Sequence, residues 1–228
     1  MKNIFTLLVI LICVVCCLPP AANAAAKVGD VIEFGDWNWR VLDVQDGKLL
    51  IITEQIINTD SYNTERTSIT WEKCTLRKYL NGEFYAKFSK EEQGLIAETR
   101  ISNPDNMWYE YGKGGNNTID KVFLLSLEEV LRYFGDSGDY VNKNRNKQEG
   151  YYPKDKWVPS AIGVGFSDAY DNNRMAMYEN EPHSWWLRSP GGLDDRAAMI
   201  SEGGAVFVNG MFVADGVVGI RPVLWMKH

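Results

Sequence analysis

Alternating apolar and polar residues predict three strands near the start of the folded part of the chain. These strands span residues 31–34, 37–44 and 49–53. Asp46-Gly47 separates the second strand from the third, and both residue types tolerate the positive φ angles of a two-residue turn. The second and third strands are therefore expected to form a hairpin.

Capping residues predict three helices in the middle of the chain. The first is expected to begin at Thr70 and to end at Asn81-Gly82, with an apolar stripe that faces the sheet. Ser89 and Ser126 each lie three residues before a glutamate, which is the spacing of a capping box. These two serines mark the starts of the second and third helices.

Two long irregular stretches, residues 103–120 and 135–159, interrupt this pattern. A buried strand is predicted between them, over residues 122–125. Loops of this length in a compact domain commonly carry function, so they are the first places to look for binding. Plain solvated connections are the alternative.

Short strands separated by glycine-rich turns dominate the last third of the chain. The predicted strands span residues 185–188, 197–200, 205–208, 211–213 and 220–225. Asn209-Gly210 is a hairpin signal between two of them. Helices that come early and an antiparallel sheet that comes late indicate an α+β fold class, not an alternating parallel one.

Residues 1–24 have the pattern of a secretory signal peptide. Lys2 supplies a positive start, residues 4–18 are almost all apolar, and Ala-Asn-Ala at 22–24 offers small residues for cleavage. The apolar run is shorter than the ~20 residues that a membrane helix needs. We therefore expect residues 25–228 to form a single globular domain without a membrane span, secreted or displayed on the cell surface.

Composition narrows the function classes further. The predicted leader contains three of the four cysteines, so the mature chain keeps only Cys74 and no internal disulfide is expected. An exported domain without disulfides favours a bacterial source. Removing Lys2 changes the net charge from −6 to −7, which disfavours binding to nucleic acid.

Two motifs near the C-terminus carry a family resemblance. They are Ser-Trp-Trp-Leu-Arg-Ser-Pro-Gly at 184–191 and Gly-Ile-Arg-Pro-Val-Leu at 219–224. Together with stretches at 39–44, 76–81 and 123–126, they make residues 28–228 resemble a widespread bacterial family of uncharacterised exported domains. That family brings no biochemical activity with it, so the resemblance informs on the fold more than on the function.

The same late motifs are more distantly similar to C-type-lectin-like folds, as used by the sulfatase-modifying, formylglycine-generating family. This similarity implies a twisted antiparallel sheet with packed helices and long loops gathered at one end, a layout that bacteria use for binding. The formylglycine-generating activity also implies paired cysteines that bind a metal. A mature chain with Cys74 alone disfavours that activity.

Catalytic chemistry has few candidates in this sequence. Cys74 is expected to be a buried, small apolar residue, and His183 is the one histidine away from the chain end. No catalytic residue, cofactor or metal site is therefore predicted. The residues that keep a glycosidase pair or a calcium site open as minority alternatives are Asp168, Asp171, Asn172, Asn173, Glu179, Glu181, Asp194 and Asp195.

Aromatic rings among amides in the two long loops are the strongest remaining signal. Flat rings bury area at small entropic cost, and neighbouring amides donate and accept hydrogen bonds, which suits glycan or protein surfaces. The predicted ligand-binding residues are Trp108, Tyr109, Tyr111, Asn116, Asn117, Tyr151, Tyr152 and Trp157. The alternative is that the rings fold back as lids over the core.

The sequence therefore favours a noncatalytic binding module whose loops engage a glycan or a cell-surface protein. A carbohydrate-active enzyme of the cell envelope with a carboxylate pair, and an envelope scaffold protein, are the alternatives. Trp186, Arg188 and Arg221 are assigned to the fold. A guanidinium in an apolar strand is expected to bind carbonyl groups or pair with a carboxylate.

Overall fold

Two main sheets and a set of short helices make up the fold. The computed structural model describes residues 26–138, 140 and 165–228. The first sheet is antiparallel and contains, in spatial order, β1 (Val31–Phe34), β2 (Trp37–Gln45), β3 (Lys48–Thr53) and β14 (Val223–Lys227). Asp46 and Gly47 have φ angles of 48° and 69°, which confirms the predicted hairpin turn.

The second main sheet has six strands and contains most of the C-terminal third. In spatial order these are β4 (Asn58–Thr59), β13 (Gly219–Ile220), β10 (Trp185–Pro190), β11 (Arg196–Ile200), β12 (Val206–Phe212) and β7 (Gly165–Phe166). Only β10 and β13 pair in parallel among these neighbours. Helices combined with largely antiparallel sheets confirm the α+β expectation.

The hairpin predicted at Asn209-Gly210 is wrong, because β12 runs through both residues. The register between β12 and β11 shifts there, so the two residues form a bulge. Gly210 has a φ angle of 67°, and a Cβ atom on it would lie 1.9 Å from the carbonyl oxygen of Ala197. Gly210 is required because β11 approaches it closely. In the sequence, such a glycine looks the same as a glycine that is required by a turn.

The strand predicted over residues 220–225 is split between the two sheets. Its first part is β13 and its second part is β14, with Arg221 and Pro222 between them. Proline has no backbone N–H and cannot continue a ladder as a donor. Arg221 therefore lies where the chain crosses from one sheet to the other.

The first helical segment starts and ends later than predicted. It comprises α1 (Thr75–Tyr79), a π-helical turn (Leu80–Phe84) and a 3₁₀ turn (Tyr85–Lys87). The N-cap is Cys74, not Thr70. The Asn81 side chain bonds the backbone of Lys121 and Val122, so it anchors the segment instead of ending it.

Both capping boxes are confirmed. Ser89 begins α2 (Lys90–Leu95) and Ser126 begins α3 (Leu127–Phe134), and in each case the serine and the glutamate exchange hydrogen bonds. The apolar face of α3 is buried, whereas α2 buries no residue. Packing onto the core therefore stabilises α3, and local capping has a larger share in α2.

Around the two predicted loops the structure differs from the prediction: the strand expected over residues 122–125 is not formed, and part of the first loop is a strand. Residues 122–125 are buried but pair with a strand at one position only, Phe123 with Val223. Inside the first predicted loop, β6 (Thr118–Asp120) pairs with β5 (Thr99–Ile101). Most of the second loop lies outside the described residues. The remaining elements are α4 (Asp171–Arg174), β8 (Ala176–Tyr178) and β9 (Glu181–His183).

Strand β10 is internal to the six-stranded sheet. Trp185 and Trp186 are both fully buried, and β10 lies between β13 and β11. Arg188 on the same strand forms an ion pair with Glu129 of α3 and donates to the carbonyl oxygen of Leu124 over 2.7 Å. These are the partners expected of a structural arginine. In the described part of the chain, no helix has the length and apolarity to cross a membrane.

Candidate functional site

The aromatic residues of the first predicted loop divide into a packed group and an exposed one. Trp108 and Tyr109 are partly buried and pack against the core. The Trp108 ring stacks on Tyr140 and Phe166, with centroid distances of 6.3 and 6.1 Å. Tyr111 is 68% exposed. Trp108 therefore has the lid position that the sequence left open as the alternative, and Tyr111 alone of these three offers a free ring.

The predicted amides in this loop make contacts within the fold. Asn116 donates to the Glu72 carboxylate over 3.1 Å, and the Asn117 side chain accepts from the Asn103 backbone over 3.2 Å. Both residues are exposed, and both help to hold the loop in place. The other predicted binding residues lie outside the described residues, and they are Tyr151, Tyr152 and Trp157.

A cavity lies elsewhere in the described structure, between the four-stranded sheet and the residues of α3, α4 and β8. It has a volume of about 500 Å³. Its walls come from β2, from the chain after β3, from the end of α3, and from α4 and β8. Its polar side chains are those of Arg40, Glu54, Gln55, Tyr133, Asn172, Asn173 and Arg221. We call this cavity the inter-sheet cleft.

Arg221 is the buried cation of the inter-sheet cleft. It is 3% exposed, and its Nε and Nη2 atoms donate to the carbonyl oxygens of Thr53 and Glu54 over 2.8 and 3.2 Å. Its guanidinium carbon lies 5.4 Å from the Phe134 ring centroid and 5.2 Å from that of Trp185. The buried Nη1 atom has no hydrogen-bond partner among the described residues.

Burial has an electrostatic consequence for Arg221. Desolvation lowers the pKa of Arg221 to about 10, although the charge of Glu54 opposes this and that of Arg40 adds to it. The group stays protonated at neutral pH. The protein therefore holds a positive charge beside the cleft without a carboxylate hydrogen-bonded to it.

Arg40 and Glu54 form a second charged feature, closer to solvent. The two side chains are hydrogen-bonded at two positions, one of them from Arg40 Nε to Glu54 Oε2 over 2.8 Å. Their side chains are 37% and 26% exposed. Because the charges of Arg40 and Glu54 cancel, these two side chains and Arg221 together have a net charge of +1.

Amides and a phenol complete the polar wall of the cleft. Asn173 donates to the carbonyl oxygen of Phe134 over 3.0 Å, and Gln55 accepts from the Met177 backbone over 3.2 Å. Asn172 is exposed, and its side chain makes no hydrogen bond within the described chain. Tyr133 is half-buried, and burial raises the pKa of its hydroxyl. These groups can donate to and accept from the hydroxyls of a bound molecule.

Comparison with known proteins places the chain in a family. Residues 46–228 match the family model of a domain of unknown function, DUF6273. The chain belongs to the DUF6273 family. The match includes Glu54, Arg221 and both motifs that carried the resemblance, and it begins after Arg40. No curated protein and no solved structure matches the chain at a significant level. Membership of an uncharacterised domain family is thus confirmed, whereas bacterial origin stays a prediction.

The calcium alternative does not fit the contacts in this DUF6273 domain. The side chains of Asp168 and Arg174 are 2% and 0% exposed and lie 2.9 Å apart, and Asp171 binds the same arginine over 3.1 Å. Burial by itself would raise the pKa of Asp168, but hydrogen bonds from Arg174 and the Tyr170 backbone hold it below its ordinary value. No group of three or more potential metal ligands is found in the described part of the chain.

Cys74 is not in a position to act as a nucleophile in this DUF6273 domain. It is fully buried, and its sulfur accepts from the Arg77 backbone as the cap of α1. Burial raises the pKa of the Cys74 thiol to about 12, outweighing the opposing contribution of Arg77. The thiol is therefore protonated at neutral pH. This agrees with the expected buried residue, with a capping role that the sequence did not predict.

None of the described residues that line the inter-sheet cleft was among the predicted ligand-binding residues. Asn172 and Asn173 were noticed as calcium ligands, and Arg221 was assigned to the fold. One signal in the sequence marks Arg221, although it does not indicate a cleft. An arginine inside an apolar strand, followed by proline, marks a buried cation at a strand interruption. Arg221 is that cation, and it is both a structural residue and part of the cleft.

Proposed function

We propose that this protein is an exported, noncatalytic binding module that holds a segment of a glycan in the inter-sheet cleft. The observation that carries this proposal is the cleft of about 500 Å³ with amides, a phenol and a buried cation in its walls. Cavities of roughly 300–1,000 Å³ are the size in which proteins bind small molecules. The side chains that line this one suit a ligand rich in hydroxyl groups.

The shape of the cleft favours a glycan over a protein partner. A stable protein interface covers on the order of 800 Å² on each partner and is broad. The inter-sheet cleft is concave, and polar side chains such as Asn172 and Tyr133 meet within it. A sugar ring offers hydroxyls to the amides and C–H groups to the tyrosine ring.

The carbohydrate-active enzyme is less well supported than the binding module. Glycosidases generally use two carboxyl groups on either side of the bond that is cleaved. Glu54 is the one acidic residue among the described residues of the cleft, and Arg40 binds its carboxylate. Asp168 and Asp171 form a close pair elsewhere, but both bind Arg174. A carboxyl group whose pKa is lowered, as in Asp168, is a poor general acid at neutral pH.

Two further parts of the proposal concern architecture and location. We infer a C-type-lectin-like core from the antiparallel strands β10, β11 and β12, with α3 packed against β10 through the Arg188–Glu129 ion pair. Asn106 supports this by bonding the long loop to the carbonyl oxygens of Pro190 and Val208. Export follows from the leader pattern of residues 1–24.

Titration calorimetry with oligosaccharides from bacterial envelopes tests the function. The protein is produced by secretion from the full-length chain. We expect Asn172→Ala to weaken binding, because its exposed amide makes no hydrogen bond within the described chain and is available to a ligand, and Tyr111→Ala to leave binding unchanged. Loss of binding in Tyr111→Ala with full binding in Asn172→Ala would assign the function to the loop. Turnover of an oligosaccharide would support the enzyme instead.

A further inference from the structure

The balance of charge in the inter-sheet cleft is opposite to that of the chain as a whole. The chain has a net charge of −6, whereas the charged side chains that line the cleft have a net charge of +1. Glu54 cannot fully compensate Arg221, because both oxygens of its carboxylate accept hydrogen bonds from Arg40. The wall of the cleft therefore carries a positive charge, although the protein as a whole is acidic.

The structural role of Arg221 uses only part of its hydrogen-bonding capacity. Nε and Nη2 link β13 and β14 to the end of β3 through the Thr53 and Glu54 carbonyls. Nη1 is buried and unpaired within the described chain, although the residue lines the cleft. A buried cation without an anionic partner has an unfavourable solvation energy, which an anion nearby would offset.

We propose that the glycan bound in the inter-sheet cleft carries a carboxylate, as a uronic acid does, and that this carboxylate lies against Arg221. The proposal rests on the glycan-binding function above and names its ligand class. A guanidinium is suited to a carboxylate because its N–H groups form a planar fork and its charge is permanent. The amides of Asn172 and Asn173 remain available for the hydroxyls of the same sugar.

The first test compares each acidic sugar with its own neutral form. Oligosaccharides of glucuronate, galacturonate and mannuronate are titrated beside counterparts of equal length in which the carboxyl groups are reduced to alcohols. We expect at least one uronate to bind about tenfold or more tightly than its reduced form, the scale of a charge-assisted hydrogen bond. Equal binding of the two forms would overturn the proposal.

Substitutions test the same proposal through charge. Arg221→Lys keeps the charge but loses the fork, so binding of the acidic sugar should fall by a larger factor than binding of the reduced form. Because this variant can also perturb the fold, Glu54→Gln serves as a second test variant. It removes a negative charge from the cleft and should tighten binding of the acidic sugar severalfold. Glu202→Gln is the matched control, with the same change in net charge on an exposed residue outside the cleft.

The outcomes separate the ligand class from the binding function. If neutral oligosaccharides bind and Asn172→Ala weakens them, but no uronate is preferred, the glycan function stands and the carboxylate inference is wrong. If no oligosaccharide of either kind binds, the proposed function is wrong and the inference falls with it. If Glu54→Gln and Glu202→Gln tighten binding equally, the preference comes from net charge and not from the cleft.

Discussion

At the scale of single residues, buried polar groups explain more of the structure than exposed ones do. Arg188, Arg221 and Cys74 are all buried. The two arginines donate to backbone carbonyls of other segments, and Cys74 accepts from the Arg77 backbone in the helix that it caps. Desolvated polar groups are stable only when such partners are in place. Replacing these buried side chains should therefore lower the stability of the fold before it changes any other property.

Replacing Arg188 by methionine should destabilise the fold strongly. The substitution leaves the Glu129 carboxylate without its cation and the Leu124 carbonyl without a donor. Breaking a buried pair costs about 3–5 kcal/mol, and we expect the lower end because Glu129 is 27% exposed. Urea denaturation measures the loss in free energy of unfolding. Arg100→Met, at an exposed arginine of β5, is the control and should change it little.

Cys74 should make the stability of the protein depend on alkaline pH. Burial raises the pKa of its thiol from 9.0 to about 12 in the folded state, so the folded state binds this proton more tightly than the unfolded state. Stability from this group is complete below pH 9 and is lost as the pH rises through 12.

The measurement compares unfolding free energies of the wild type and Cys74→Ala from neutral to alkaline pH. The wild type should lose more stability than the variant, which lacks the thiol. Reductant should not change the melting temperature, because no other cysteine lies within the described residues. Parallel pH dependences in the two proteins would show that the thiol is not a buried titrating group.

At the scale of secondary-structure elements, success of the sequence predictions depends on how local each signal is. The hairpin at Asp46-Gly47 and the capping boxes at Ser89 and Ser126 are formed by residues within a few positions, and all are confirmed. Asn81 failed as a helix end because its partners come from residues 121 and 122. The sequence pattern contains no information on such distant partners.

The candidate site was not predicted for the same reason, because its residues are brought together from distant parts of the sequence. Trp108 is a predicted binding residue, but its ring stacks on Phe166 of β7, which is far away in the sequence. The inter-sheet cleft joins β2, α3, α4 and the crossing between β13 and β14, so its residues are scattered along the chain. The sequence singled out Arg221 as a structural residue and Asn172 and Asn173 as calcium candidates, but it did not bring them together in one cleft.

The bulge in β12 supplies a prediction at this scale. Gly210→Ala should lower stability by at least about 2 kcal/mol, because a methyl group would overlap the Ala197 carbonyl and φ is positive. Thermal unfolding monitors the effect. Gly203→Ala is the matched control, since a Cβ there meets no atom within 4 Å and φ is not positive. Similar melting temperatures for the two variants would contradict the close approach of β11 and β12.

At the scale of the whole molecule, the described part has the features of a protein that folds without covalent cross-links. Its one core cluster includes residues of both main sheets and of α3, among them Trp39, Leu131 and Trp186. A continuous core of this kind does not need disulfides for stability. Cys74, the one cysteine described, is a free thiol within that cluster.

Export and cleavage of the predicted leader can be tested on the chain that begins at Met1. Secretion by a bacterial host should give a mature protein that begins at Ala25, because Ala22 and Ala24 are the small residues that signal peptidase requires. Intact-mass measurement of the secreted protein decides the cleavage position. Ala24→Leu places a bulky side chain next to the cleavage site and should block processing. Exported wild-type protein that keeps the apolar run at 4–18 and stays with the membrane would instead identify this run as a membrane anchor.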